Sequence, residues 1–80
     1  MDYEYYVGML ESALNIELYA EDAAKVIEYL KEYYDEIVYE YTSLHDDELM
    51  YMKPEKKEKL VAEAVVNDLI DFYNSEIKEN

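Results

Sequence analysis

Apolar residues recur at alternating steps of three and four through Tyr6, Met9, Ala13, Ile16, Ala20, Ala23, Ile27, Leu30, Tyr34, Ile37, Tyr41 and Leu44. That spacing is a helical stripe and not the period-two alternation of a strand. It is cleanest from Ala20 to Leu44, where Ala24 and Val38 widen it into a core-facing side. Before it, Asn15-Ile16-Glu17-Leu18-Tyr19 is poor in helix formers and predicts a turn between a first helix, about Asp2 to Leu14, and the long one. The unbroken stripe argues instead for a single bent helix, and the two-helix reading is preferred. Gly8 weakens the first helix by about 1 kcal/mol relative to alanine.

Thr42 to Glu48 predicts a loop in which Ser43 or Asp46 caps a short helical turn, Asp47 to Met52. Lys53-Pro54 then restarts the chain, because proline is preorganised for the first position of a helix. The last helix is expected from Pro54 to Ile77. Its broad face of Val61, Ala62, Val65, Val66, Leu69, Ile70, Phe72, Tyr73 and Ile77 fits burial against two neighbours. One glycine and one proline in 80 residues is too little punctuation for a β-rich chain. The expected fold class is all-α, a small helical bundle of three main helices plus a short helical turn, forming one domain over residues 1–80.

Charge changes the picture more than any motif does. Twenty-one acids face seven lysines and there is no arginine, for a net charge of −14. Solubility alone needs a magnitude of roughly 2 to 8 in a small domain, and the surplus destabilises the compact state by self-repulsion. The plainest compensating gain is a strongly basic partner. The excess is also uneven. Residues 1–52 hold fourteen acids and two lysines, a net of −12, while residues 53–80 hold seven acids and five lysines, a net of −2.

Glu17, Glu21, Glu28, Glu32, Asp35 and Glu36 lie at spacings that place them along one side of the long helix, with only Lys25 and Lys31 for company. A solvated face is the ordinary reading of such a run. The near absence of lysine among these acids weighs against it, because like charges at this spacing repel. The row steps at roughly 6 Å, given 1.5 Å of rise per residue. Duplex DNA places a phosphate every ~3.4 Å on each strand. A helix of ~25 residues is ~37 Å long, about one turn of duplex.

Eleven tyrosines stand beside one phenylalanine and no tryptophan. Tyr6, Tyr34, Tyr41 and Tyr73 fall on apolar stripes and are expected in the core. Tyr29 and Tyr33 lie among the acids, off the seam, Tyr19 and Tyr39 are also on outward faces, and Tyr3 and Tyr5 sit in the acidic N-terminus. Exposed tyrosine beside glutamate can meet arginine by ion pairing and cation–π contact together. Codon bias is an equally good source of so many tyrosines.

Chemistry is sparse. His45-Asp46-Asp47-Glu48 is the one ligand-rich cluster, and it lacks metal-ligand spacing and the glycine of a calcium loop, so capping explains it better. No nucleophile motif or phosphate-binding loop is present, and no catalytic, cofactor or metal residue is expected. Lys53, Lys56, Lys57 and Lys59 alternate with Glu55 and Glu58 and read as a solvated, internally paired face. No apolar run approaches a membrane span. The acidic start, Met1-Asp2-Tyr3-Glu4, fits neither a secretory signal nor a transit peptide, so a cytoplasmic protein is expected.

The stretch Glu28-Tyr29-Leu30-Lys31-Glu32-Tyr33-Tyr34-Asp35-Glu36-Ile37-Val38-Tyr39-Glu40-Tyr41 resembles, in composition and style, the phage-encoded DNA-mimic proteins of the antirestriction and anti-CRISPR type. Those are small, all-helical, acidic and tyrosine-containing. The resemblance implies a viral decoy acting in the host cytoplasm against a restriction, CRISPR, repair or nucleoid protein. The expected partner is a basic nucleic-acid-binding protein, with no direct nucleic-acid or membrane binding, and the chain acts as monomer or homodimer. Its expected binding face is Glu17, Glu21, Glu28, Glu32, Asp35 and Glu36 with Tyr29 and Tyr33. The competing class is an acidic helical interaction module, such as an antitoxin, a secretion chaperone or a transcription-regulator subunit. In that case the acids steer a partner toward an apolar hot spot.

Overall fold

The computed structural model describes residues 2–78. Four α-helices follow one another: α1 (Tyr3–Leu14), α2 (Ala20–Leu44), α3 (Asp46–Leu49) and α4 (Pro54–Phe72), and α4 runs on into a π-helical turn, Tyr73–Lys78. No strand occurs among the described residues. The fold is an all-α bundle about α1, α2 and α4, with dimensions of 41 × 21 × 19 Å.

Each boundary has a local cause. Asp2 caps α1 by accepting a hydrogen bond from the Glu4 amide at 3.1 Å. Asn15 ends it in the left-handed region, at φ 54° and ψ 49°. The Asn15 amide then donates to the Ser12 carbonyl and the Ile16 amide to the Glu11 carbonyl, the paired bonds of a Schellman motif. The Glu11 carboxylate also accepts from the Leu18 amide at 2.8 Å, which stitches the linker to the helix it leaves. Residues 2–44 are therefore two helices and not one bent one. α4 starts with Pro54 at its first turn, as the sequence suggests. At the other end, the Ser75 hydroxyl donates to the Asp71 carbonyl at 2.9 Å. Such back-bonding loosens helical geometry, and the chain winds wider from Tyr73 onward.

The cap expected at Ser43 or Asp46 is not formed. Ser43 lies inside α2, Asp46 is the first residue of α3, and His45 occupies the junction without a side-chain cap bond. Its backbone amide closes α2 on the Tyr41 carbonyl at 3.1 Å.

The core joins Tyr6, Val7 and Leu10 of α1 to Val26, Leu30 and Ile37 of α2 and Val65, Val66 and Leu69 of α4. Burying each such side chain contributes roughly 1.5–3 kcal/mol. The α4 face is as expected. In α1 the expected Met9 and Ala13 give way to Val7 and Leu10, with Ala13 exposed. Val26, off the drawn stripe, has no exposed surface, whereas Ala20, Ala24 and Leu44 are exposed. The break at Asn15 resets the helical phase, so a stripe carried across it slips.

Contacts along α2 fix the helix directions. Tyr29 meets Asp68 and Phe72, while Tyr41 shares a shallow cleft with Leu60 and Ala64. α4 thus runs antiparallel to α2. α1, joined to α2 by five residues, packs Tyr6 against Tyr34 at a ring separation of 5.7 Å. α1 therefore covers α2 at least as far as Tyr34 and leaves the end of α2 to α4. No helix among the described residues is long and apolar enough to cross a membrane.

Candidate interaction surface

The acids of α2 lie opposite its buried side. At about 100° per residue, Glu21, Glu28, Glu32 and Asp35 fall within about 60° of arc, and Glu36 stands about 40° beyond. All five are exposed. Their backs are Val26, Leu30 and Ile37, so an apolar core lies behind the row and its field projects into water. From Glu21 to Glu36 the row covers roughly 22 Å of axis. Lys25 interrupts it, exposed, and neither Lys25 nor Lys31 makes an ion pair among the described residues. Glu21 and Asp22 oppose the positive end of the α2 dipole, which is favourable. No base sits in the last turn of α2 to match its negative end.

Two expected members stand elsewhere. Glu17 is exposed, but it belongs to the linker before α2 and not to the helical row. Tyr29 does not face outward. Its ring is half-buried, stacked on Phe72 at 4.3 Å and 27°, and its hydroxyl donates to the Asp68 carboxylate. Burial first, then the bond to Asp68, raises the phenol well above its ordinary value. Tyr29 is a pin between α2 and α4. Its position about 100° round the helix from Glu28 puts it at the core's edge, but only Phe72 and Asp68, about forty residues on, turn it inward. Tyr33 lies on the flank, 38% exposed, with its ring 4.9 Å from that of Tyr29.

Tyr39 is the tyrosine that does extend the row. It is 72% exposed and follows Asp35 at the same 3–4 spacing. Of the tyrosines expected inside, Tyr6 is buried, and Tyr34, Tyr41 and Tyr73 are half-buried. The Tyr6 and Tyr34 hydroxyls meet at 3.4 Å, and burial raises the Tyr6 phenol well above its ordinary range.

A different surface was not anticipated. Leu44, Met50 and Tyr51 are exposed around α3, at the end of the bundle that α1 does not reach, with Asp46, Asp47 and Glu48 among them. Lys53, Lys56, Lys57 and Lys59 are solvated as expected, but none pairs with a carboxylate among the described residues. His45 packs on Tyr41 at 4.5 Å, and its Nδ1 lies 3.8 Å from Glu48, an ion pair only when the imidazole is protonated. No group of three potential ligands forms a metal site among the described residues. In comparison with known proteins, the chain matches no protein-family model, no curated protein and no solved structure.

Proposed function

We propose that this protein is an acidic DNA mimic that inhibits a nucleic-acid-binding host protein by occupying its basic groove. The observation that carries the reading is the exposed row Glu21, Glu28, Glu32, Asp35 and Glu36 on one rigid helix, unpaired with either lysine of that helix. A rigid ladder of carboxylates can take the place of a phosphate ladder, and arginines that clamp phosphates can instead clamp it. Tyr39 and Tyr33 beside the row offer ring faces to such arginines. The chain then works by occupancy and without catalysis. Attraction is long-ranged, fast and weakened by salt.

No single carboxylate is indispensable, since an exposed ion pair contributes at most ~1 kcal/mol. Reversing Glu21, Glu28, Glu32 and Asp35 together to lysine abolishes binding and leaves the helical spectrum intact. Reversing Glu55 and Glu58 has little effect. The test is affinity capture from a prokaryotic lysate with and without excess duplex DNA. A mimic retains a nucleic-acid-binding protein that the duplex displaces. A partner that stays bound in excess duplex, and on the four-site reversal variant, overturns the reading.

The exposed apolar residues Leu44, Met50 and Tyr51 within an acidic surround favour a second reading. In it, the protein is an interaction module whose acids steer a partner toward that end of the bundle. It binds without displacing DNA, and Leu44→Asp with Tyr51→Ser disables it where the row reversals do not.

A further inference from the structure

α1 and α4 run in the same direction, and a groove of about 860 Å³ lies between them. Tyr5, Gly8, Met9, Ser12 and Ala13 form one wall, and Val66 and Ile70 are the apolar part of the other. Glu4 and Glu63 lie on its rim, both exposed, and no lysine lines it. Gly8 has no side chain to fill it, and a Cβ built there meets nothing within 4 Å. The groove is distinct from the acidic row, which stands on the outer side of α2.

We infer that the α1–α4 groove is a docking site for an amphipathic helix of a partner protein that carries lysine or arginine beside its apolar face. Three features select that occupant. The wall along α1 runs from Glu4 to Ala13, about 14 Å, which fits between two and three turns of a helix. Beyond the Tyr5 ring, Gly8 and Ala13 keep that wall low, so that another backbone can lie close to α1 there. The charges at the rim are carboxylates on a molecule of net charge −14, so bases flanking an apolar stripe are attracted and acids are repelled. A second copy of this chain would bring its own −14 to the same place, which disfavours it as the occupant. The incoming helix presents its i, i+3, i+4 and i+7 positions to Met9, Val66 and Ile70 and its basic flanks to Glu4 and Glu63, the helix-in-groove mode of recognition.

A synthetic peptide of leucine, alanine and lysine tests this, at about 18 residues so that it can hold a helix. Its leucines stand at i, i+3, i+4 and i+7, and the control is a scrambled peptide of the same composition and charge. The expected result is one-to-one binding by the patterned peptide, at least tenfold tighter than the scramble. NMR shifts should concentrate on Gly8, Met9, Ser12, Val66 and Ile70. Gly8→Leu fills the groove and should weaken binding at least tenfold. It should not lower the melting temperature, because leucine is the better helix former and its Cβ enters open space. Glu4→Gln with Glu63→Gln should weaken binding while keeping the preference for the patterned peptide. The inference is overturned by equal affinity for the scramble, by shifts confined to the α2 row, by undiminished binding to Gly8→Leu, or by dimerisation through this face without peptide binding. None of these outcomes bears on DNA competition, so the docking site and the mimicry reading stand or fall separately.

Discussion

Tyr29 carries the most consequence of any residue, because one ring meets three partners. It stacks on Phe72, touches Tyr33 and donates its hydroxyl to Asp68, and so ties the middle of α2 to the end of α4. Tyr29→Phe keeps the stack and removes the donor to a half-buried carboxylate, and should cost about 1.5 kcal/mol in denaturant titrations. The same phenol sets an alkaline limit. Unfolded tyrosines ionise near pH 10, whereas folding holds Tyr6 and Tyr29 neutral to higher pH. Their contribution is complete below about pH 10 and is lost as pH rises beyond it. Stability should therefore fall as pH rises above about 10, and less steeply in Tyr29→Phe. An equal slope in the two proteins would remove Tyr29 from that account. None of this was legible in sequence. Tyr29 sits among glutamates, and nothing local distinguishes it from Tyr33.

At the scale of elements, the sequence was legible wherever punctuation is local. Pro54 marked the start of α4, the stretch Asn15 to Tyr19, poor in helix formers, marked the first break, and the long apolar period marked α2. Burial within α1 was not legible. A short helix has several apolar positions, and which of them face inward depends on where α2 and α4 lie. The stripe that chose Met9 over Leu10 ran through Asn15, where the backbone turns left-handed and the register starts afresh. That turn is testable. Asn15→Gly should be neutral within a few tenths of a kcal/mol, and Asn15→Val should cost about 1–2 kcal/mol, because a β-branched residue tolerates the left-handed region poorly. Thermal melts of both variants decide it. Equal melting temperatures would mean that the linker rearranges and that the bond from Leu18 to Glu11 holds the turn alone.

For the whole molecule, the dominant fact is the large excess of acids over bases. The acids of residues 1–52 repel one another across a bundle only 21 Å wide. The melting temperature should rise from low salt to ~0.15 M, where the Debye length shortens to ~8 Å. Glu32→Lys should also raise it at low salt, because it places a base among the acids of the row. The same substitution belongs to the set that the mimicry proposal expects to remove binding, so under that proposal stability and partner recognition should move in opposite directions along this row. A melting temperature indifferent to salt would show that the row costs the fold nothing. The acidity of the first two-thirds was legible from composition alone, and the face it occupies followed from spacing. Glu17 fell outside that face because the helix begins after it.

The half-length of α1 has a kinetic consequence. α2 and α4 are joined by a short connection and pair along most of their length, so they can form a hairpin early from contacts close in sequence. α1 must then find α4 across nearly the whole chain, and it brings only Tyr6, Val7 and Leu10 as buried anchors. α1 should accordingly be the first part to detach, opening below the cost of global unfolding. Amide hydrogens of Val7 to Glu11 should exchange faster than those around Leu30 and Leu69. A molecule that opens this way exposes its apolar interior on a hinge at Asn15, one helix at a time.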